Sequence, residues 1–107
     1  MSELPKPVAG YFAGSNAHDA DACAVWFSDR AVVRDEGREM QGVAAIRDWM
    51  ESAIEKYQHV VEVVGATEED GQTIVTGRVS GNFPNSPVEL RYAFTLAGEK
   101  IARLEIV

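Results

Sequence analysis

The sequence predicts an α+β fold: three helices from the N-terminal half packed on a curved antiparallel sheet built mostly from the C-terminal half. Three observations predict it. Apolar residues recur at three- and four-residue spacing as far as Tyr57, they run in strand-length, β-rich segments from Val60 onward, and turn residues punctuate that second half at hairpin spacing. Helices followed by a run of antiparallel strands is the α+β order. A curved sheet cupped around a long helix leaves a cone-shaped cavity. The 107 residues read as one domain, 1–107, long enough to bury a core and too short for two.

Taken in order, Val8, Tyr11, Phe12 and Ser15 mark the inner face of a first helix, preceded by prolines that a first turn tolerates. Ser15-Asn16-Ala17-His18-Asp19 breaks it. A second, short helix is predicted from Ala20 to Phe27, capped by Asp19 or Asp21 and ended by Ser28-Asp29-Arg30. Ala31 to Asp35 reads as a strand and Glu36-Gly37-Arg38 as a polar turn. Gly42 opens a third helix over Val43–Tyr57, with Ile46, Met50, Ala53, Ile54 and Tyr57 on one face and Trp49 beside them. Arg47, Asp48, Glu51, Glu55 and Lys56 take the opposite face. The remaining strands are Val60–Thr67, Thr73–Phe83, Val88–Leu96 and Ile101–Val107. Between them lie turns at Glu69-Asp70-Gly71, Pro84-Asn85-Ser86-Pro87 and Ala97-Gly98-Glu99, where glycine can supply the positive φ of a tight hairpin. A four- or five-stranded antiparallel sheet is expected, its first strand only partly paired because Glu36-Gly37 interrupts it.

Composition narrows the function. Asp and Glu number 17 against 10 Lys and Arg, and the net charge of −7 disfavours binding to duplex DNA or to an anionic membrane surface. No run approaches the length of a membrane span, and MSELPKPVAG does not read as a leader, so a cytoplasmic protein is expected. The single cysteine, Cys23, excludes an internal disulfide, and its apolar neighbours mark it as a buried thiol rather than a nucleophile. G-x-S-x-G, H-E-x-x-H, P-loop and G-x-G-x-x-G motifs are absent. His18, Asp19 and Asp21 read as a helix end and its cap, Glu68-Glu69-Asp70 as a solvated turn, and His59 as a surface or rim residue. No metal or cofactor is expected.

Two stretches carry a family resemblance. Trp26 to Asp35 (WFSDRAVVRD) resembles the F-x-x-D/E-A-x-V-x-D signature of the nuclear-transport-factor-2-like, or cystatin-like, superfamily, and Gly42 to Trp49 resembles its G-x-x-A-I-x-x-W/F helix. Phe94-Thr95-Leu96 and Lys100 to Leu104 resemble its last strands. Within that superfamily the chain is most similar to the SnoaL-like group, through Val33–Glu39 and Gly77–Pro84. The resemblance covers nearly the whole chain and implies the cone-shaped pocket. The scaffold carries many functions, so the fold alone does not assign one. Laid on the ketosteroid isomerase pattern, Tyr11 to Asp35 aligns without a gap. Tyr11 then matches the oxyanion-hole tyrosine and Asp35 the general-base aspartate. Tyr92 stands where that family has a second aspartate, so this sequence departs from the isomerase triad.

The resemblance implies a cofactor-free isomerase or cyclase acting by proton transfer next to a carbonyl. Asp35 would take the proton, and Tyr11 and Tyr92, protonated at neutral pH, would donate to the oxyanion. Val33, Trp26, Trp49, Met50 and Phe94 are the expected pocket lining, although Trp26 and Trp49 suit a core better than a ligand platform. The expected partner is a small apolar carbonyl compound. A homodimer is expected through the outer face of the sheet, where Ile74, Thr76, Arg78, Ser80 and Asn82 would point. The alternatives are a non-catalytic binder of apolar ligands and a dimerisation module whose cavity is incidental. Volume separates these two, since ligand pockets usually hold about 300 Å³ or more.

Overall fold

The computed structural model describes residues 4–107, so the first three residues of the segment read against a leader lie outside it. The chain order is α1 (Lys6–Asn16), α2 (Ala20–Ala24), β1 (Phe27–Asp35), β2 (Arg38–Gln41), α3 (Val43–Tyr57), β3 (Val60–Glu69), β4 (Gln72–Ser80), β5 (Val88–Ala97) and β6 (Lys100–Ile106). The α+β class is as expected: three helices lie with a six-stranded mixed sheet in the order β2-β1-β6-β5-β4-β3. None of the described helices is long and apolar enough to cross a membrane.

Three details differ from expectation. The second helix ends at Ala24 rather than Phe27, and β1 begins at Phe27 rather than Ala31. The Asp19 carboxylate caps that helix through the Ala22 N–H at 3.1 Å, but the Trp26 carbonyl is already taken by the Ile101 N–H at 2.7 Å. Pairing with β6 thus draws Trp26 and Phe27 out of the helix. Second, Glu36 and Gly37 do not interrupt the sheet. Both have positive φ (53° and 76°), forming a two-residue hairpin that pairs Asp35 with Arg38 and adds the extra strand β2. Third, β1 runs parallel to β6, whereas the other strand pairs are antiparallel.

Alternation holds along β4, where Thr73, Val75, Gly77 and Val79 are buried, while Arg78 and Ser80 are exposed. Register shifts near Val63/Gly65 and Thr95/Leu96 mark bulges, which bend strands and increase local twist. Ile46, Met50 and Ile54 on α3 and Val8, Tyr11 and Phe12 on α1 bury against Val33, Val75, Phe94, Ile101 and Leu104 of the sheet. The helices fit closely: a Cβ built on Gly10 would stand 2.1 Å from the Trp26 ring, so the indole lies directly on the α1 backbone.

Candidate active site

Between α3 and the concave face of the sheet lies a cavity of about 260 Å³. This is just below the usual ligand-pocket range, and it suits a compact molecule. The structure brings Tyr11, Asp35 and Tyr92 onto its wall from α1, the end of β1 and β5. The tight β1–β2 turn begins immediately after Asp35 and leaves its side chain half-buried. Trp49 and Met50 also line the cavity, from the inner face of α3. The other three residues expected there do not. Val33 and Phe94 are wholly buried in the core, and Trp26 packs on Gly10. Strand alternation gives the face of a side chain but not its depth below the cavity.

Further residues complete the wall. Tyr57 extends the α3 face, and Leu90 shares its strand face with Tyr92, so both were within reach of the periodicity. Phe83, Val88 and His59 also contribute, and no local pattern marks them. His59 is half-buried on the cavity wall, compatible with the expected rim position. A second, more polar recess of about 390 Å³ shares Asp35, Glu36, Trp49, Ala53 and Tyr57 with the first, and adds Arg38, Asp48 and Lys56.

The electrostatics follow from burial. Desolvation pushes the Asp35 carboxyl above its ordinary value, and the neighbouring charge of Glu36 adds to this. The Trp49 indole N–H, donating to Asp35 Oδ2 at 3.3 Å, and the Arg38 charge act in the opposite direction. The result is a carboxyl more basic than an exposed one. Burial raises both Tyr11 and Tyr92, and the charge of Asp35 raises each further, so the three groups are electrostatically coupled. Both phenols stay protonated at neutral pH. Their rings pack with Phe12 and Phe94, with Tyr11–Phe94 centroids 5.5 Å apart and Phe12–Tyr92 centroids 5.1 Å apart. Such a cluster holds the hydroxyls in place. Cys23 is buried away from this wall, its thiol pushed up to about 12 by desolvation, and the Sγ–H donates to the Tyr11 carbonyl.

Comparison with known proteins places the SnoaL-like domain on residues 8–104. A candidate polyketide cyclase from Sinorhizobium meliloti is 42% identical, with a TM-score of 0.93 over 97% of this chain and 95% of that one. A protein of ketosteroid isomerase-like fold from Catenulispora acidiphila, in complex with trimethylamine, has a TM-score of 0.86 at 16% identity, covering 98% of this chain and 86% of that one. A cystatin-fold protein from Novosphingobium aromaticivorans has a TM-score of 0.80 at 17% identity, covering 100% of this chain and 99% of that one. These last two likenesses show the fold alone. No curated protein matches the chain.

Proposed function

The chain belongs to the SnoaL-like domain family, and from that premise we propose that its cavity performs acid–base proton transfer next to the carbonyl of a small, largely apolar compound. The observation that carries this reading is the meeting of Asp35, Tyr11 and Tyr92 on one cavity wall. Asp35 removes the proton α to the carbonyl. Its partial burial supports the role, because a carboxylate taken from water is a stronger base. Tyr11 and Tyr92 donate to the oxygen on which enolate charge develops. Neutral phenols suit this task, since they stabilise an oxyanion without adding a cation to an apolar site. Return of the proton from Asp35 to a different carbon gives isomerisation; attack of the enolate on a second carbonyl of the same molecule closes a ring, and the alkoxide so formed takes that proton back from Asp35. Every step uses only these side chains.

The experiment is solvent deuterium exchange into a panel of enolisable cyclic ketones. Wild type should catalyse exchange into at least one of them, and Asp35→Asn should not. Equal rates in the two proteins would reject Asp35 as the base. The second reading is a non-catalytic binder, favoured by the apolar wall formed by Met50, Val79, Val88, Leu90 and Ile106. The trimethylamine complex of the Catenulispora acidiphila protein shows a small ligand held by a relative of the fold. In that reading Asp35→Asn changes nothing.

A further inference from the structure

His59 lies on the cavity wall but takes no part in the chemistry above. It follows Gln58, whose left-handed backbone (φ 48°) ends α3, and it immediately precedes β3. Its surroundings come from the far end of α1. The ring Nε2 is 3.2 Å from Ser15 Oγ, and the His59 carbonyl accepts from His18 Nε2 at 2.8 Å. Two residues on, the Asn16 side chain accepts from the Val61 N–H at 2.8 Å and donates to the Val61 carbonyl at 2.9 Å. The last turn of α1 is thus clamped to the start of β3, and the imidazole is one jaw of the clamp.

Among the described residues, His59 Nδ1 is the one buried side-chain nitrogen or oxygen without a hydrogen-bond partner. The Nε2–Ser15 Oγ hydrogen bond forms with either neutral tautomer, since the hydroxyl can donate to the ring or accept from it. Ser15, only 1% exposed, stands four residues after Tyr11 on the same face of α1. Whatever fixes Ser15 fixes the helix turn that presents the Tyr11 hydroxyl to the cavity.

We infer that His59 is a positioning residue: through its hydrogen bond to Ser15 it sets where the Tyr11 hydroxyl stands in the cavity. This rests on Tyr11 acting as the oxyanion donor. The groups facing the imidazole are Ser15 on α1, His18 on the following loop and Ala53 on α3, while Tyr11, Asp35, Glu36, Tyr57 and Tyr92 share its cavity. Desolvation and the His18 charge hold the ring below the ordinary histidine value. The Ala53 backbone acts in the opposite direction and favours the charged form.

The test compares wild type, His59→Leu and His59→Gln, the last of which keeps a side-chain N–H donor, with Ser15→Ala as a second way to break the link. With tyrosines labelled at 13Cζ, the Tyr11 resonance should move in His59→Leu and Ser15→Ala and stay near its wild-type position in His59→Gln. An unmoved Tyr11 resonance in His59→Leu and Ser15→Ala would overturn the inference, whether or not the protein is a catalyst. If ketone exchange is found, His59→Leu should slow it about ten-fold, because small misplacements of a donor are costly. The same substitution should have no further effect in a Tyr11→Phe background. Additive losses would show that His59 acts by another route.

Discussion

Asp35 sits where burial and hydrogen bonding pull in opposite directions, and burial dominates. The sign for stability follows. A carboxyl raised in the folded state favours folding fully at pH values below its unfolded pKa, about 3.9, and that contribution is lost as pH rises through the folded value. At neutral pH the buried charge is therefore a liability. Asp35→Asn should melt higher than wild type at pH 7, with the gap closing as both are taken toward pH 4, as thermal scans at the two pH values would show. A variant no more stable at pH 7 would argue that Asp35 is better solvated than its position implies. Tyr11→Phe keeps the ring in its aromatic cluster and removes only the hydroxyl. It should retain the wild-type circular dichroism spectrum and lose about 10²–10³ in exchange rate. Asp35 and Tyr11 could be named from the sequence because a strand-end carboxylate and a first-helix tyrosine match the isomerase pattern; Tyr92 departs from that pattern, yet it lines the same cavity. The contacts of His59 were not legible, because its partners Ser15 and His18 lie more than 40 residues earlier in the chain.

Elements were legible where the signal is local. Ile46, Met50 and Ile54 repeat at helical spacing, and all three are buried. Asp70 and Gly71 form the predicted tight turn between β3 and β4, both with positive φ. The β1–β6 pair had no such signal. Parallel partners share no hairpin, and these two are separated by β2, α3 and three further strands. The same long-range pairing decided where the second helix stopped, by claiming the Trp26 carbonyl. Contact between α1 and Trp26 gives a test at this scale. Gly10→Ala would drive a methyl group into the indole, which has α1 on one side and must move. Urea denaturation should show a loss of about 1–3 kcal/mol. An unchanged midpoint would mean that Trp26 can swing away at no cost.

At the scale of the whole molecule, one face of the sheet is covered by the helices and the other is open. The open face mixes exposed Arg78 and Ser80 with half-buried Ile74 and Thr76, and the edge strand β3 exposes Val60, Val63 and Val64. We expect two copies to associate across this surface, with a wet interface of moderate size suited to its mixed polarity. Sedimentation at micromolar concentration should show a dimer, and a monomer throughout would contradict this. The cone of helices and sheet was legible from periodicity and turns. The size of its cavity was not, because that depends on which large side chains, such as Phe94, sink below the wall rather than into it.

The central claim is that a partly buried carboxylate acts as a base opposite two protonated phenols. Its most direct test is the pH dependence of deuterium exchange into an enolisable cyclic ketone, measured for wild type and Asp35→Asn. The wild-type rate should rise as Asp35 loses its proton, with a midpoint above the ordinary aspartate value. It should then stay level through neutral pH and beyond, because burial keeps Tyr11 and Tyr92 protonated there. Asp35→Asn should lack both the step and the plateau. A variant that matches the wild-type profile, or a wild-type profile with no carboxylate step, would contradict the claim.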